Sequence, residues 1–295
     1  MTNIAIIGTQ GMLGSAICRY LSEKNYRILE INSSGITQSN NQVTKFDITQ
    51  DKLDKLEKDL SNIDFVVNCA GLIKHKIDEN SLTSINDLIK INSLFPFELS
   101  KLSHKLNFKI IQPATDCAYS GLKGNYSEND AKDPVDLYGY SKVLGEHIDM
   151  NLLTLRCSLI GRELSSNFEF LEWVLSHSPE NSLNGFTNHH WNGITTLAFA
   201  KIVSGLIEGK KFTPGTFHVL PKDSVSKFEL AKIISINFGM TDTEMTQSQS
   251  PKAINRTLAT NFEQFNSDLW NAAGYNKVPT ISEMVKEYSL WVLSA

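Results

Sequence analysis

The stretch Asn3-Ile-Ala-Ile-Ile-Gly-Thr-Gln-Gly-Met-Leu-Gly14 decides the fold of this chain. Its first five residues form an apolar run typical of a strand buried on both faces, and residues 15–21 have the pattern of a helix. Between a strand and a helix, a G-x-x-G-x-x-G segment indicates a dinucleotide-phosphate turn, because glycines let the backbone turn tightly and approach the pyrophosphate at the helix N-terminus. We therefore expect five residues here to bind a dinucleotide: Gly8, Gly11, Met12, Leu13 and Gly14.

Strands and helices alternate through the first 160 residues. This order predicts an α/β fold of the Rossmann type, a doubly wound parallel sheet whose ligands gather at the carboxyl ends of the strands. The predicted helices include 51–60 and a single long helix at 82–106, and the predicted strands are 3–7, 27–31, 42–46, 64–68, 108–112 and 152–156.

The second half of the chain has a looser pattern. We interpret residues 1–160 as an NAD(P)-binding domain and residues 161–295 as mainly a smaller C-terminal substrate-binding lobe, with about 195–220 returning to the first sheet. Residues 178–192 are interpreted as a polar connection. The predicted elements are helices at 167–176, 195–208, 227–238, 262–273 and 281–293 and a short strand at 216–220.

The end of the second strand bears on which dinucleotide binds. NAD-binding folds usually place an acid there to hold the ribose 2′-hydroxyl. Here the strand closes on Asn32, Ser33 and Ser34, neutral side chains that accept a 2′-phosphate without repelling it. Glu30, one pleat earlier on the same face, is a competing candidate, and no Arg or Lys follows at once to clamp a phosphate. We favour NADP(H) over NAD(H).

The ends of the next strands complete the predicted cofactor site. The third strand ends in a turn expected near the adenine, and the fourth ends on small residues that let a cofactor lie close to the backbone. An asparagine lies in the middle of the predicted helix 82–106. The additional cofactor residues are Asp47, Ile48, Cys69, Ala70, Gly71 and Asn92.

Tyr138 and Lys142 are four residues apart on a predicted helix, so the phenol and the ammonium lie on one face. An unperturbed tyrosine titrates near ~10, and a cation ~4 Å away at an effective dielectric of ~20 contributes roughly 4 kcal/mol, or about three pKa units. Such a shift would make the pair an acid/base for carbonyl–alcohol redox chemistry. Any Tyr–Lys pair on a solvated helix has the same spacing, but Thr115 and the glycine turn lie at strand ends of the same sheet, which favours the catalytic interpretation.

Composition excludes several classes of protein. The chain has 295 residues, 41% of them apolar and 20% charged, and its net charge of −4 gives no reason to expect a nucleic-acid or membrane partner. No apolar stretch approaches the ~20 residues that cross a bilayer, and the first residues run directly into a strand rather than a signal peptide. The four cysteines are scattered, which suits reduced thiols. We expect a cytoplasmic soluble protein.

The order of these motifs resembles the extended short-chain dehydrogenase/reductase family. Within that family the chain looks most like the dTDP-4-dehydrorhamnose reductase group of nucleotide-sugar reductases. The group's Thr-Asp segment and its Tyr-Gly-x-x-Lys helix continuing to Gly-Glu are matched from Thr115 to Tyr119 and from Tyr138 to Glu146. Further matching segments are Gly8-x-x-Gly11-x-x-Gly14, Asn68-Cys-Ala-Gly71, Arg156-Cys-Ser158, Asn167-Phe168 and Pro251 to Thr260.

The resemblance implies an NADP(H)-dependent reduction of a nucleotide-linked 4-keto-6-deoxy sugar for polysaccharide or glycan precursors. Hydride would reach the 4-keto carbon while Tyr138 donates a proton to the oxygen. Lys142 would lower the pKa of Tyr138 and bond the nicotinamide ribose, and Thr115 would hold the carbonyl oxygen. The implied substrate-binding residues are Thr115, Asp116, Cys117, Asn167, Trp191 and Arg256.

Several of these assignments have alternatives. Asp116 binds a sugar hydroxyl or caps the next turn, Arg256 binds the substrate diphosphate or is a surface arginine, and Trp191 stacks on a sugar or base or fills the interface between the lobes. The adjacent His189 and His190 splay apart, and no further ligand follows at metal spacing, so we expect no metal site.

Departures from the group's pattern affect the predicted substrate. Cys117 replaces an aromatic residue of the group and the glutamate that abstracts a proton in related 4,6-dehydratases, so dehydration is disfavoured. Leu159 replaces a frequent tryptophan, and Trp191 to Thr195 replaces a Gly-x-Pro-Thr stretch. Two alternative functions remain open: a nucleotide-sugar epimerase with tightly bound cofactor, and a regulatory subunit that binds dinucleotide without catalysis. The expected partner is a nucleotide sugar, with a homodimer possible.

Overall fold

The computed structural model describes residues 1–37, 39–163, 168–177, 183–209, 211–240 and 244–294. Its strands are β1 (Thr2–Ile7), β2 (Tyr26–Asn32), β3 (Gln42–Lys45), β4 (Phe65–Asn68), β5 (Lys109–Ala114), β6 (Leu152–Arg156), β7 (Leu159–Ile160), β8 (Leu183–Phe186), β9 (His189–Trp191), β10 (Ile194–Thr195), β11 (Gly215–His218), β12 (Val225–Ser226), β13 (Met245–Ser248) and β14 (Ile254–Asn255).

The α-helices of the described residues are α1 (Met12–Ser22), α2 (Glu57–Leu60), α3 (Leu82–Leu88), α4 (Phe95–Leu106), α5 (Leu137–Gly145), α6 (Phe170–Leu175), α7 (Thr196–Glu208), α8 (Lys227–Asn237), α9 (Glu263–Ala272) and α10 (Ile281–Leu293). Short 3₁₀ turns cover Leu53–Leu56, Lys74–Lys76 and Asp116–Ala118. None of these helices combines the length and the apolar composition that crossing a membrane requires.

Seven parallel strands form the central sheet in the order β11-β6-β5-β4-β1-β2-β3, which confirms the predicted Rossmann-type fold. β1 lies in the middle, and its side chains alternate between the two faces of the sheet. Ile4 and Ile6 join the apolar core that α1 and α7 cover. Ala5 and Ile7 join the core that α2 and α4 cover. The strand is therefore buried on both sides, because a parallel sheet needs helices on each face.

The second half of the chain contributes to this sheet and also builds a lobe beside it. β11 pairs with β6 at the edge of the sheet, and α7 packs on α1. The C-terminal lobe contains the small sheets β12-β9-β14 and β13-β8, against which α8 packs. The carboxyl ends of the central strands face this lobe across a cleft lined by residues from both.

Two predictions of secondary structure need correction. The long helix expected at 82–106 is interrupted by a π-helical segment, Ile89–Leu94, between α3 and α4, and such segments are frequent at functional sites. The connection expected at 178–192 contains β8 and β9, which pair with strands that follow much later in the chain. These pairings are non-local, so the polar composition of the segment did not indicate them.

Candidate active site

The glycine turn between β1 and α1 is packed too closely for side chains. Gly8 has a φ of +85°, and a Cβ there would lie 2.8 Å from the amide nitrogen of Ala70. A Cβ on Gly14 would lie 2.2 Å from the carbonyl oxygen of Gly8. Helix α1 begins after Gly11 without a side-chain cap, which leaves the first N–H groups of the helix available to an anion. This arrangement fits the pyrophosphate of a dinucleotide.

A cleft of about 360 Å³ opens beside this turn, at the carboxyl ends of β1, β4 and β5. It brings together residues that are far apart in the sequence. The predicted site residues that line it are Gly11, Met12, Leu13, Cys69, Ala70, Gly71, Thr115, Asp116, Cys117, Tyr138, Lys142 and Arg256.

Tyr138 enters the cleft from the first turn of α5. The helix starts here because the Asp136 side chain caps it, accepting a hydrogen bond from the N–H of Gly139 at 2.8 Å. Burial raises the pKa of Tyr138, the nearby Cys117 adds to the increase, and a hydrogen bond with the Thr115 side chain opposes it. The phenol therefore remains protonated at neutral pH, next to the Thr115 hydroxyl.

The lowered pKa that the helix spacing predicts for Tyr138 is not found in the chain by itself, where the pKa is raised. The Nζ atom of Lys142 donates to the carbonyl oxygen of Pro113 at 3.4 Å, and Lys142 is not among the largest influences on the pKa of Tyr138. Burial also lowers the pKa of Lys142, and the negative charge of Glu146 opposes this decrease. The loss of hydration around the Tyr138 phenol raises its pKa by more than the attraction to Lys142, assumed from their helix spacing, would lower it.

Charged groups surround the end of the cleft beyond Tyr138. The Nε atom of Arg256 donates to the carbonyl oxygen of Tyr119 at 2.9 Å, and its Nη1 atom lies 3.9 Å from the sulfur of Cys117. Burial raises the pKa of Asp116, while Arg256 and then Lys227 lower it. Burial raises the pKa of Cys117 to about 12. Cys117 is therefore a neutral thiol, unlike the glutamate of a dehydratase.

The loop after β2 determines what a cofactor meets at its adenosine end. Asn32 organises this loop: its Nδ2 atom donates to Thr9 Oγ1 at 2.9 Å, and its Oδ1 atom accepts from the N–H of Gly35 at 2.8 Å. Glu30 is 4% exposed and accepts a hydrogen bond from Thr37 Oγ1 at 2.6 Å. Further donors to Glu30 are Ser39 and Asn41. The carboxylate is thus enclosed beneath the loop, whereas Ser33 and Ser34 are exposed.

Three other predicted cofactor residues have local structural contacts. Asn92, within the π-helical segment, accepts from the N–H of Leu72 and donates to the carbonyl oxygen of Leu72 and to Ser141 Oγ, each at 2.9 Å. It holds the loop after β4 against α5. Asp47 accepts from the N–H of Thr49 at 2.9 Å, and Ile48 packs on the apolar core. Contact of these residues with a cofactor stays a prediction.

Trp191 is a packing residue rather than a cleft residue. It is 3% exposed, belongs to the main apolar core, and donates through Nε1 to Ser158 Oγ at 2.9 Å. Of the two interpretations, the structure therefore supports the one in which Trp191 fills the interface between the lobes. Asn167 lies outside the described residues. His189 Nε2 lies 3.0 Å from the carbonyl oxygen of Lys252.

Two charged residues at the site were not predicted from sequence. Glu169 lines the cleft from the residue before α6, and Lys227 interacts electrostatically with Asp116, Glu169 and Cys117 from the first position of α8. The Ser226–Glu229 capping box marked a helix start. The capping box also shows that Lys227 lies at a helix N-terminus, where the helix dipole disfavours a cation. This unfavourable position is the feature of the sequence that could have indicated a functional lysine.

The parallel sheet, the glycine turn and the Thr115, Tyr138 and Lys142 set at one edge define an NAD(P)-dependent oxidoreductase of the extended short-chain dehydrogenase/reductase class. The chain belongs to the RmlD substrate binding domain family, whose model matches residues 1–289. This confirms the resemblance indicated by the sequence motifs.

Three of the individual comparisons are with reductases. The chain is similar to the probable low-salt glycan biosynthesis reductase Agl14 of Haloferax volcanii, with 25% identity over 239 residues covering 78% of each chain. It is also similar to the dTDP-4-dehydrorhamnose reductase of Aggregatibacter actinomycetemcomitans, with 23% identity over 242 residues covering 78% of this chain and 77% of the relative. Its fold matches the crystal structure of dTDP-4-dehydrorhamnose reductase from Bacillus anthracis in complex with NADP, with a TM-score of 0.77, 19% identity, and coverage of 99% and 100%.

Proposed function

We propose that this protein is an NADP(H)-dependent reductase of a nucleotide-linked 4-keto-6-deoxy sugar that serves polysaccharide or glycan precursor synthesis. The observation that carries the proposal is the half-buried, protonated Tyr138 beside Thr115, in a cleft that also contains the glycine turn. The relatives named as a glycan biosynthesis reductase and as dTDP-4-dehydrorhamnose reductase support the substrate class.

The proposed roles follow from where the side chains lie. Bound dinucleotide supplies the hydride. Tyr138 donates its proton to the oxygen of the sugar carbonyl, and Thr115 positions that oxygen by a hydrogen bond. Lys142 provides a half-buried positive charge near the alkoxide that forms, and Arg256 provides a second charge for the substrate. Gly8 to Gly14 and Cys69 to Gly71 hold the dinucleotide against the strand ends.

The preference for NADP(H) rests on the loop after β2. A carboxylate at this position would repel a 2′-phosphate and accept from a 2′-hydroxyl. The carboxylate of Glu30 is enclosed by Thr37, Ser39 and Asn41. Ser33 is an exposed neutral donor for a phosphate, whereas the Ser34 hydroxyl donates to Asn32 Oδ1 at 3.1 Å within the loop.

The test is oxidation of NADPH and NADH, followed at the nicotinamide absorbance, with a panel of nucleotide-linked 4-keto-6-deoxy sugars. We expect stoichiometric oxidation with at least one sugar, faster with NADPH. The matched control is Tyr138→Phe, which should lose turnover and keep dinucleotide affinity. If the dinucleotide binds but no sugar causes its oxidation, the reductase function is contradicted. Sugar epimerisation or binding of a protein partner would then be the function to test.

The exposed face of α5 supports a homodimer as part of the proposal. Tyr140 and Leu144 on α5 and Ile148 after it are 54%, 64% and 92% exposed, and Phe97 of α4 is 40% exposed beside them. Tyr140 and Leu144 are one turn apart on α5, and we propose that this exposed apolar face is covered by a second copy. Sedimentation velocity should give the dimer mass, and Leu144→Asp should give the monomer mass.

The absence of disulfides among the four cysteines is consistent with the proposed cytoplasmic location. All four thiols, at Cys18, Cys69, Cys117 and Cys157, are free. Reduced thiols persist in a reducing compartment. Thiol titration of the protein purified under argon should detect four reduced thiols per chain.

A further inference from the structure

A short segment of the loop after β4 lies at the mouth of the cleft. It comprises Ile73 to Ile77, contains a 3₁₀ turn, and is called the strap below. Asn92 holds Leu72, the residue before the strap, through two hydrogen bonds at 2.9 Å. After the strap, the N–H of Asp78 donates to Ser84 Oγ at 2.9 Å. Both ends of the strap are therefore fixed, and most of it lines the cleft.

His75, in the middle of the strap, contacts the C-terminal lobe on the opposite side of the cleft. Its ring stacks on that of Phe168, with centroids 5.7 Å apart and an angle of 21° between the planes. Phe168 is held in place because the carboxylate of Glu163 accepts hydrogen bonds from the N–H groups of Phe168 and Glu169, at 3.1 and 3.0 Å. Glu163 and Glu169 themselves line the cleft. The two stacked rings therefore connect the two sides of the cleft.

Lys74, the preceding residue of the strap, contacts the helix that carries Tyr138. Its Nζ atom lies 3.0 Å from Asp136 Oδ2. The other carboxylate oxygen of Asp136 caps α5, accepting from the N–H of Gly139 at 2.8 Å. The strap thus contacts the N-terminus of α5 as well as the C-terminal lobe.

These contacts are weak enough to open, and the size of the cleft requires that they do. Phe168 is 68% exposed, His75 is exposed, and the Lys74 side chain is 64% exposed. Ring stacks and ion pairs in contact with water contribute only modestly to stability. With the strap in this position the cleft measures about 360 Å³, close to the lower limit of about 300 Å³ for a site that holds one small ligand. An oxidoreductase of this class has to hold part of a dinucleotide together with its substrate, so the cleft has to widen.

We propose that the strap and Phe168 form a gate: the His75–Phe168 stack closes the cleft over a bound dinucleotide and separates each time a dinucleotide enters or leaves. This inference goes beyond the proposed function, because it concerns exchange of the dinucleotide and does not depend on which sugar is reduced. Loops that open and close over a ligand control exchange in many enzymes. Because the stack is present both before and after binding, it slows entry and release by the same factor and leaves the dissociation constant unchanged.

The test measures exchange of NADPH without any sugar, or of NADH if NADPH does not bind. Stopped-flow fluorescence gives the association rate, and addition of excess oxidised dinucleotide gives the release rate. Phe168→Ala and His75→Ala should each raise both rate constants by about three- to tenfold and leave Kd unchanged. The double variant should match the single ones, because both remove the same contact. His75→Phe keeps a ring for stacking and should retain the wild-type rates. Either alanine variant tests the stack if the other does not fold.

The matched control is Phe186→Ala. It removes another exposed contact between a phenylalanine and a histidine of the same lobe, Phe186 with His189, whose ring centroids are 4.8 Å apart. Neither residue is among those described residues that line the cleft. Its rates should equal those of the wild type, and an increase as large as that in Phe168→Ala would overturn the inference.

Three further outcomes would overturn the gate. The first is unchanged rates in both alanine variants. The second is faster release with unchanged association, because the rings would then contact the dinucleotide directly instead of gating it. The third is a wild-type protein that binds neither dinucleotide. Failure to reduce any sugar, with both rates raised in the alanine variants, would contradict the proposed function and support the gate.

Discussion

The carboxylate of Glu146 and the guanidinium of Arg156 form a two-point buried ion pair, with Nη2 to Oε2 at 2.6 Å and Nε to Oε1 at 3.2 Å. Their side chains are 6% and 1% exposed. Glu146 directly follows α5, and Arg156 ends β6. The pair therefore fixes the far end of the helix that carries Tyr138 and Lys142 against the central sheet.

Breaking this pair should destabilise the fold. Arg156→Met leaves a buried carboxylate paired with Lys132 alone among the ion pairs of the described residues, and we expect the free energy of unfolding to fall by roughly 3 kcal/mol. Removing both charges in Arg156→Met/Glu146→Gln should recover most of that loss. Urea unfolding at pH 7 measures both values. A double variant as unstable as the single one would contradict the ion-pair explanation.

His218 should make stability depend on pH. Its Nε2 atom accepts from Arg156 Nη1 at 2.6 Å, so Nδ1 carries the proton and donates to the carbonyl oxygen of Ala259 at 2.7 Å. Burial and Arg156 lower the pKa of His218 from 6.5 to about 4. Between these values the unfolded chain binds a proton that the folded chain does not. The histidine's contribution is therefore complete above about pH 6.5 and is lost as the pH falls.

Because of His218, we expect the free energy of unfolding to fall by about 2 kcal/mol when the pH is lowered from 7 to 5. The measurement is urea unfolding across this range for the wild type and for His218→Gln. The variant should lose less stability on acidification. Equal slopes for the two proteins would show that His218 is already protonated in the fold or does not titrate in this range.

Asn92 should matter to the cofactor site without contacting the reacting groups. Asn92→Ala removes three hydrogen bonds that hold Leu72 and Ser141, and we expect a loss of roughly 2 kcal/mol in stability. The loop after β4 should loosen, which weakens NADPH binding. Fluorescence titration and urea unfolding measure the two effects. The control is Asn86→Ala on the exposed face of α3, and equal effects in both variants would disprove the bracing role.

Two glycine substitutions should separate folding from cofactor binding. A Cβ at Gly14 collides with the carbonyl oxygen of Gly8 at 2.2 Å, whereas a Cβ at Gly11 meets that oxygen at 3.4 Å. Gly14→Ala should therefore lower the melting temperature. Gly11→Ala should keep it and weaken NADPH binding by about tenfold or more, because the methyl group enters the space for the pyrophosphate. Wild-type affinity in Gly11→Ala would contradict this position for the phosphates.

Features that depend on local periodicity were predictable from the chain alone. The apolar run of β1 followed by Gly8, Gly11 and Gly14 indicated the turn, since strand, turn and helix are adjacent in sequence. The spacing of Tyr138 and Lys142 placed both on one face of α5, because helix geometry repeats within a turn. The parallel sheet followed from the alternation of such units.

The sequence by itself thus determined the fold class and the identity of the residues at the strand ends. Only the tertiary structure decided their environment. It enclosed Glu30 beneath a loop and buried Trp191 in the core. It also desolvated Tyr138, which raises the pKa of the phenol, with smaller increases from Cys117, Asp116 and Glu169. It also brought Lys227 close enough to Asp116 and Glu169 to influence them electrostatically. Desolvation and the electrostatic influence of charges distant in sequence depend on how whole elements pack, and no local spacing encodes them.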